Sequence, residues 1–138
     1  MKFSNNNFFL KYFFVVIFIF TGCKNETCKG VEFKNGISYK NGELYTGKCV
    51  THHTNGELRS IQSYQNGHDH GDWQFFYANK KQQTKGSFMM GKKNGKWTYY
   101  HENGMLFKEH FYENGKKIGV WKTYDKNGEI SSVTNDFN

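Results

Sequence analysis

The chain has 138 residues, no proline, fifteen glycines and 19% aromatic residues, and carries a formal net charge of +7. That length holds one domain with one modest core. So rich an aromatic content excludes a disordered chain and points to a β-rich fold whose turns are made without proline.

Residues 1–22 read as an export signal. Lys2 and Lys11 precede an apolar run from Tyr12 to Phe20, and small residues follow, which is the order of a secretion signal. The run is about half the roughly twenty residues that a membrane-spanning helix requires. The stretch "FTGC" resembles a bacterial lipobox, although Phe20 departs from the usual leucine. That resemblance implies acylation of Cys23 and a mature chain, 23–138, anchored as a lipoprotein in the cell envelope, on a periplasmic face or at the cell surface. Loss of the signal removes two lysines and no acids, so the charge falls from +7 to +5. A basic, aromatic chain would otherwise suggest nucleic acid; export argues against that partner. Lys92, Lys93, Lys116 and Lys117 stand beside glycines and read as solvated charges that keep sheet edges from pairing.

Residues 23–32 read as a linker. With Cys23 assigned to lipid, Cys28 and Cys49 remain, an even number in an oxidising compartment. A bridge would close a loop of about twenty residues and contribute roughly 3 kcal/mol. The alternative is a flexible Cys28 and a buried, reduced Cys49, and the sequence leaves both open.

Residues 33–134 form the folded domain, followed by a tail, 135–138. After a partial capping unit, 33–38, the chain aligns with itself in four units, 39–63, 64–87, 88–111 and 112–135, the first of 25 residues and the others of 24. Gly47, Gly71, Gly95 and Gly119 recur. Two residues later stand Cys49, Trp73, Trp97 and Trp121, and five residues later His52, Phe76, Tyr100 and Tyr124. Eight of the fifteen glycines directly follow asparagine. Asn-Gly suits a two-residue type I′ turn, which needs positive φ at both positions. The predicted turn glycines are Gly42, Gly56, Gly67, Gly95, Gly104, Gly115 and Gly128, and the second unit has Asn79-Lys80 in place of one such pair.

"YTGK", three copies of G-x-W-x-x-[FY] and the recurrent "NG" resemble MORN-type repeats, and the chain is similar to the MORN-variant proteins grouped as the YwqK family of antitoxin-like proteins. The resemblance implies an all-β fold, a single antiparallel meander to which each unit contributes two strands. The geometry agrees: two strands of about eight residues and two tight turns fill a unit, and four units extend about 40 Å across the strands. Cys49 and His52 replace the expected aromatics in the first unit, which predicts looser packing there.

Ideal alternation puts Trp97 and Tyr99 on one face and Tyr100 on the other. The spacing of three between Trp97 and Tyr100 therefore requires either a bulge or aromatics on both faces. A one-layer sheet cannot cover all of them, so an exposed aromatic stripe is expected, and such a patch marks a binding surface. Its candidate residues, core and interaction together, are Trp73, Phe76, Trp97, Tyr100, Trp121 and Tyr124.

Catalysis has little support. His52-His53, His68-Asp69-His70, His101 and His110 offer ligand chemistry, but "HDH" lies at a turn and no third ligand stands at a telling spacing. No nucleophile elbow, phosphate loop or paired carboxylate motif appears, and only glycine, tryptophan and tyrosine repeat. The expectation is a non-enzymatic scaffold without metal or cofactor, a monomer, binding a protein, a glycan or a lipid. The alternatives are an immunity protein acting on a toxin in the envelope, which the family label implies, and a module that binds anionic membrane surfaces.

Overall fold

The computed structural model describes residues 26–136; the signal segment, Cys23 and residues 137–138 lie outside them. All regular structure among the described residues is strand. The strands are β1 (Glu26–Thr27), β2 (Val31–Lys34), β3 (Ile37–Lys40), β4 (Glu43–Leu44), β5 (Gly47–His52), β6 (Leu58–Gln65), β7 (His68–Asp69), β8 (Gly71–Phe76), β9 (Gln82–Met89), β10 (Lys92–Tyr100), β11 (Leu106–Glu113), β12 (Lys116–Tyr124) and β13 (Ile130–Asp136).

The main sheet has the order β1-β5-β6-β8-β9-β10-β11-β12-β13, with β7 on β6. It is the expected antiparallel meander from β5 onward. Two features go beyond the repeat. β1 pairs parallel to β5, and β2, β3 and β4 form a separate small sheet. The hairpin at Asn41-Gly42, placed by the repeat alignment in the first unit, therefore belongs to this small sheet. It packs on the β6–β7 turn: Ser38 N donates to Gly67 O at 2.8 Å, and a Cβ on Gly67 would stand 2.6 Å from Ile37 Cγ2. Glycine is required at that tip both by its φ of +77° and by this contact.

The Asn-Gly pairs do three different jobs. At Asn35-Gly36, Asn41-Gly42, Asn66-Gly67 and Asn114-Gly115 both residues have positive φ, the expected type I′ turn, and Met90-Gly91 does the same without asparagine. At Gly56, Gly104 and Gly128 the glycine alone has positive φ. There the chain makes a wider turn: Gly56 N donates to His53 O and His53 N to Glu57 O, the pattern of a type I turn closed by a bulge residue. The type I′ expectation is corrected at these three positions. Gly95 is also corrected, because it stands at no chain reversal. It lies inside β10 with φ +72°, where the register to β9 passes from Asn94↔Ser87 to Thr98↔Lys85 and accommodates two extra residues.

Asparagine at the wide turns has a reason unrelated to φ. The Oδ1 of Asn55, Asn79 and Asn103 accepts from the backbone N–H two residues on. Their Nδ2 groups donate to Ala78 O, Glu102 O and Lys126 O in the next unit, at 3.2, 3.0 and 2.9 Å. Beside them His53 Nε2, Tyr77 Oη and His101 Nε2 donate to Phe76 O, Tyr100 O and Tyr124 O. On the opposite rim the N–H groups of Gly67, Gly91 and Gly115 donate to the carbonyls of Tyr45, Asp69 and Lys93. Both rims are thus stitched from unit to unit, which holds a one-layer sheet together beyond its strand ladder.

Candidate functional site: a ring ladder under lysines

One face of the main sheet carries a continuous row of rings. Tyr45 meets Tyr64 at 5.5 Å between centroids, Tyr64 meets Trp73 at 5.4 Å, and Phe88 lies 5.0 Å from both Trp73 and Trp97. The row continues from Trp97 to Tyr112 at 6.4 Å and ends where His110 meets Trp121 at 5.0 Å. Most contacts are tilted or edge-on, the arrangement favoured by ring quadrupoles. Gly86 makes room in the middle, because a Cβ there would stand 2.2 Å from Trp97 Cδ2.

Trp97 is only 3% exposed although no second layer covers it. Its cover comes from Phe88, Tyr99 and Tyr112 and from Lys93, whose Nζ stands 4.1 Å from the ring centre and also donates to Tyr99 Oη at 3.1 Å. The side chains of this face thus form their own second layer. Lys117 repeats the arrangement over Trp121 at 4.4 Å, and Lys108 stands 4.8 Å from the Tyr99 ring. A cation over an indole or phenol face is attracted by the ring's π density. Trp73, Tyr99 and Trp121 stay half-exposed, so the surface alternates flat rings with ammonium groups.

Burial sets the electrostatics of this face. His110 is held down at about 4, first by burial and then by Lys117, Lys108 and Lys93; it is a neutral ring at physiological pH. Burial pushes the Tyr64 phenol up to about 12, helped by the Asp69 and Tyr45 charges. Burial also raises Tyr99 and Tyr112. Lys93, Lys108 and Lys117 therefore supply the positive charge over a floor of neutral rings.

The three tryptophans of the repeat come together as one row. Phe76, Tyr100 and Tyr124 do not join them: in each unit the register keeps alternation through this stretch, so they fall on the other face. The extra residue lies on the returning strand, between Tyr99↔Lys108 and Tyr100↔Leu106, and likewise in the other three units. Of the two expected solutions, aromatics on two faces is therefore the one that occurs; the bulge on the returning strand leaves the spacing of three unchanged. That other face is polar in its middle, where Ser87 Oγ donates to Asp72 Oδ1 at 2.7 Å and Lys96 pairs with Glu109.

Sequence reasoning overlooked Tyr64, Phe88, Tyr112, Tyr99, His110 and the lysines as parts of this site. The signal was present: Tyr64, Phe88 and Tyr112 recur every 24 residues, and Lys93 and Lys117 each stand four residues before a tryptophan.

In the first unit the tryptophan position is taken by Cys49, fully buried and joined to Cys28 with a Cα–Cα distance of 4.9 Å. The disulfide sits where the ring row would otherwise continue, with Gln62 beside it. His68 and Asp69 form the short β7 against Tyr64 and Gln65, and among the described residues no group of three or more His, Cys, Asp or Glu comes together as a metal site.

Comparison with curated proteins finds no match. The family model described as MORN repeat variant matches residues 45–66, 93–114 and 117–135. The stretch between the first two matches holds the unit with Lys80 at the wide turn, yet its strands pair in the same register as the others. The chain is therefore similar to the MORN repeat variant at these three places, which lie in one continuous sheet.

Proposed function

We propose that this chain is a non-enzymatic binding scaffold, anchored in the cell envelope through an acylated Cys23, that holds its partner on the ring-and-lysine face. The observation that carries the reading is the unbroken row from Tyr45 to Trp121 with Lys93, Lys108 and Lys117 over it. A flat partner surface lies against half-exposed rings at little entropic cost, because tryptophan and tyrosine have few rotatable bonds. Lysines among the rings favour acidic groups on that partner, whether it is a protein, a glycan or an anionic lipid surface.

The test uses the full acylated chain, crosslinked in its own envelope, beside the double variant Lys117→Gln, Trp121→Ala. Trp121 lies at the thinly packed end of the row, so the sheet should survive the change. Recovery of the crosslinked partner is expected to fall about tenfold, the equivalent of roughly 1.4 kcal/mol. Unchanged recovery with intact near-ultraviolet dichroism would remove the face from consideration. Binding of the parent chain to anionic vesicles, lost in the double variant, would identify lipid as the partner. Cys23→Ser is expected to move the chain to the soluble fraction.

A further inference from the structure

The two ends of the main sheet are finished differently. At the first end β5 is covered by β1, which the Cys28–Cys49 bridge holds in place. At the last end β13 pairs only with β12 and leaves its outer backbone groups unpaired among the described residues. An open edge is normally guarded by lysine or by a charge turned inward. Strand β13 reads "ISSVTND" and has neither lysine nor arginine, its single charge being Asp136 at its end.

The last wide turn is built differently from the earlier ones. In earlier units His53, Tyr77 and His101 reach into the following unit. Asp125 stands at the corresponding place and folds back, accepting from Asn127 N at 2.8 Å and Glu129 N at 2.9 Å. Asn127 likewise turns its amide to Asp125. The rim is closed on itself while the strand beside it is open.

We infer that β13 is a self-pairing edge, on which a second copy of this chain docks antiparallel about a two-fold axis through Val133. The register is then self-complementary. Val133 faces its own copy, Ser132 faces Thr134 of the partner, a favourable hydroxyl pair, and Asp136 falls opposite Ile130, so no like charges meet. Lys122, beside Val133 on β12, lies three strand spacings from its counterpart, about 14 Å, beyond the roughly 8 Å screening length at physiological salt.

The axis also keeps the same faces of both copies on the same side. On the face opposite the rings, Phe111, Ile118, Val120 and Val133 are 40–54% exposed. The pairing makes them one apolar strip across both copies. A two-fold contact closes, so pairing through β13 stops at two copies. The result is a dimer with two ring-and-lysine faces side by side, in place of the monomer expected from sequence.

The experiment takes the full chain, solubilised in mild detergent, through light scattering and sedimentation across about 1–100 μM, the range in which edge pairing of this size is measurable. The parent chain is expected to have dimer mass in the upper range. Val133→Lys, a change at an exposed site, is expected to be monomeric throughout with unchanged near-ultraviolet dichroism, its dissociation constant raised about tenfold or more. Val133→Cys is expected to give a dimer that reducing agent splits, and Thr123→Cys, on the covered strand, is not. A parent chain that stays monomeric, a Val133→Lys variant that keeps the dimer mass, or crosslinking equal at 123 and 133 would each overturn the inference. None of these results depends on the ring face, so they stand apart from the binding test above.

Discussion

At the scale of single residues, Trp97 and His110 show how one face is both core and surface. Trp97 is nearly fully buried by neighbours of which Phe88, Lys93 and Tyr99 are themselves half in water. Trp97→Ala should remove the ring that Phe88, Tyr99 and Tyr112 close upon and cost about 3 to 5 kcal/mol, the usual range for a large aromatic in a core. Urea unfolding measures this directly, and a change of a few tenths would mean that the ring contributes no core packing. His110 makes a different prediction. Its folded value of about 4 lies below its ordinary 6.5, so the unfolded chain binds the proton more readily. The stability this represents is complete above about pH 6.5 and is lost as pH falls towards 4. Because the face is open to water, the loss should be about 1 to 2 kcal/mol, well under the unscreened equivalent of the shift. His110→Gln, which places there the residue of the first unit, should flatten the stability profile between those pH values.

At the scale of strands and turns, the period was legible and the turn type was not. Twenty-four residues, two reversals and alternating apolar positions are local facts, and they define the meander. Asn-Gly fits a type I′ turn, a type I turn with a bulge, and an irregularity within a strand almost equally well. Cross-strand register chooses among them, which is why Asn94-Gly95 falls inside β10 while Asn114-Gly115 reverses the chain. The same reason hid the ring row. Tyr64, Phe88 and Tyr112 repeat visibly, but their face depends on two extra residues near Gly71, Gly95 and Gly119, which no count along the sequence reveals. Lys80 shows register overruling composition, since it adopts φ +69° where three other units have glycine. Lys80→Gly should relieve that strain at the cost of an exposed ion pair with Glu57. A net gain of about 0.5 to 1 kcal/mol is expected, read as a higher midpoint in denaturant; a loss would show that the pair outweighs the backbone.

At the scale of the whole molecule, the sheet is a row of units that touch only their neighbours, apart from the small sheet resting on the β6–β7 turn. Stability in such a row depends on position. The first end lacks the tryptophan of the repeat, and the Cys28–Cys49 bridge stands in its place, holding β1 against β5 across a sequence separation of 21. The sequence anticipated looser packing here from the missing rings; the buried bridge is the physical substitute that the residue types alone could not establish. Cys28→Ser should cost about 3 kcal/mol, the contribution of a loop of that size. The loss should also be local. Amide exchange is expected to speed up in β1 and β5, less in β6, and hardly at all from β10 to β12, where the ring row and both stitched rims are intact. A uniform loss of protection across all strands would instead show that the sheet unfolds as a single unit, and that the interfaces between repeats are too strong for one end to open alone.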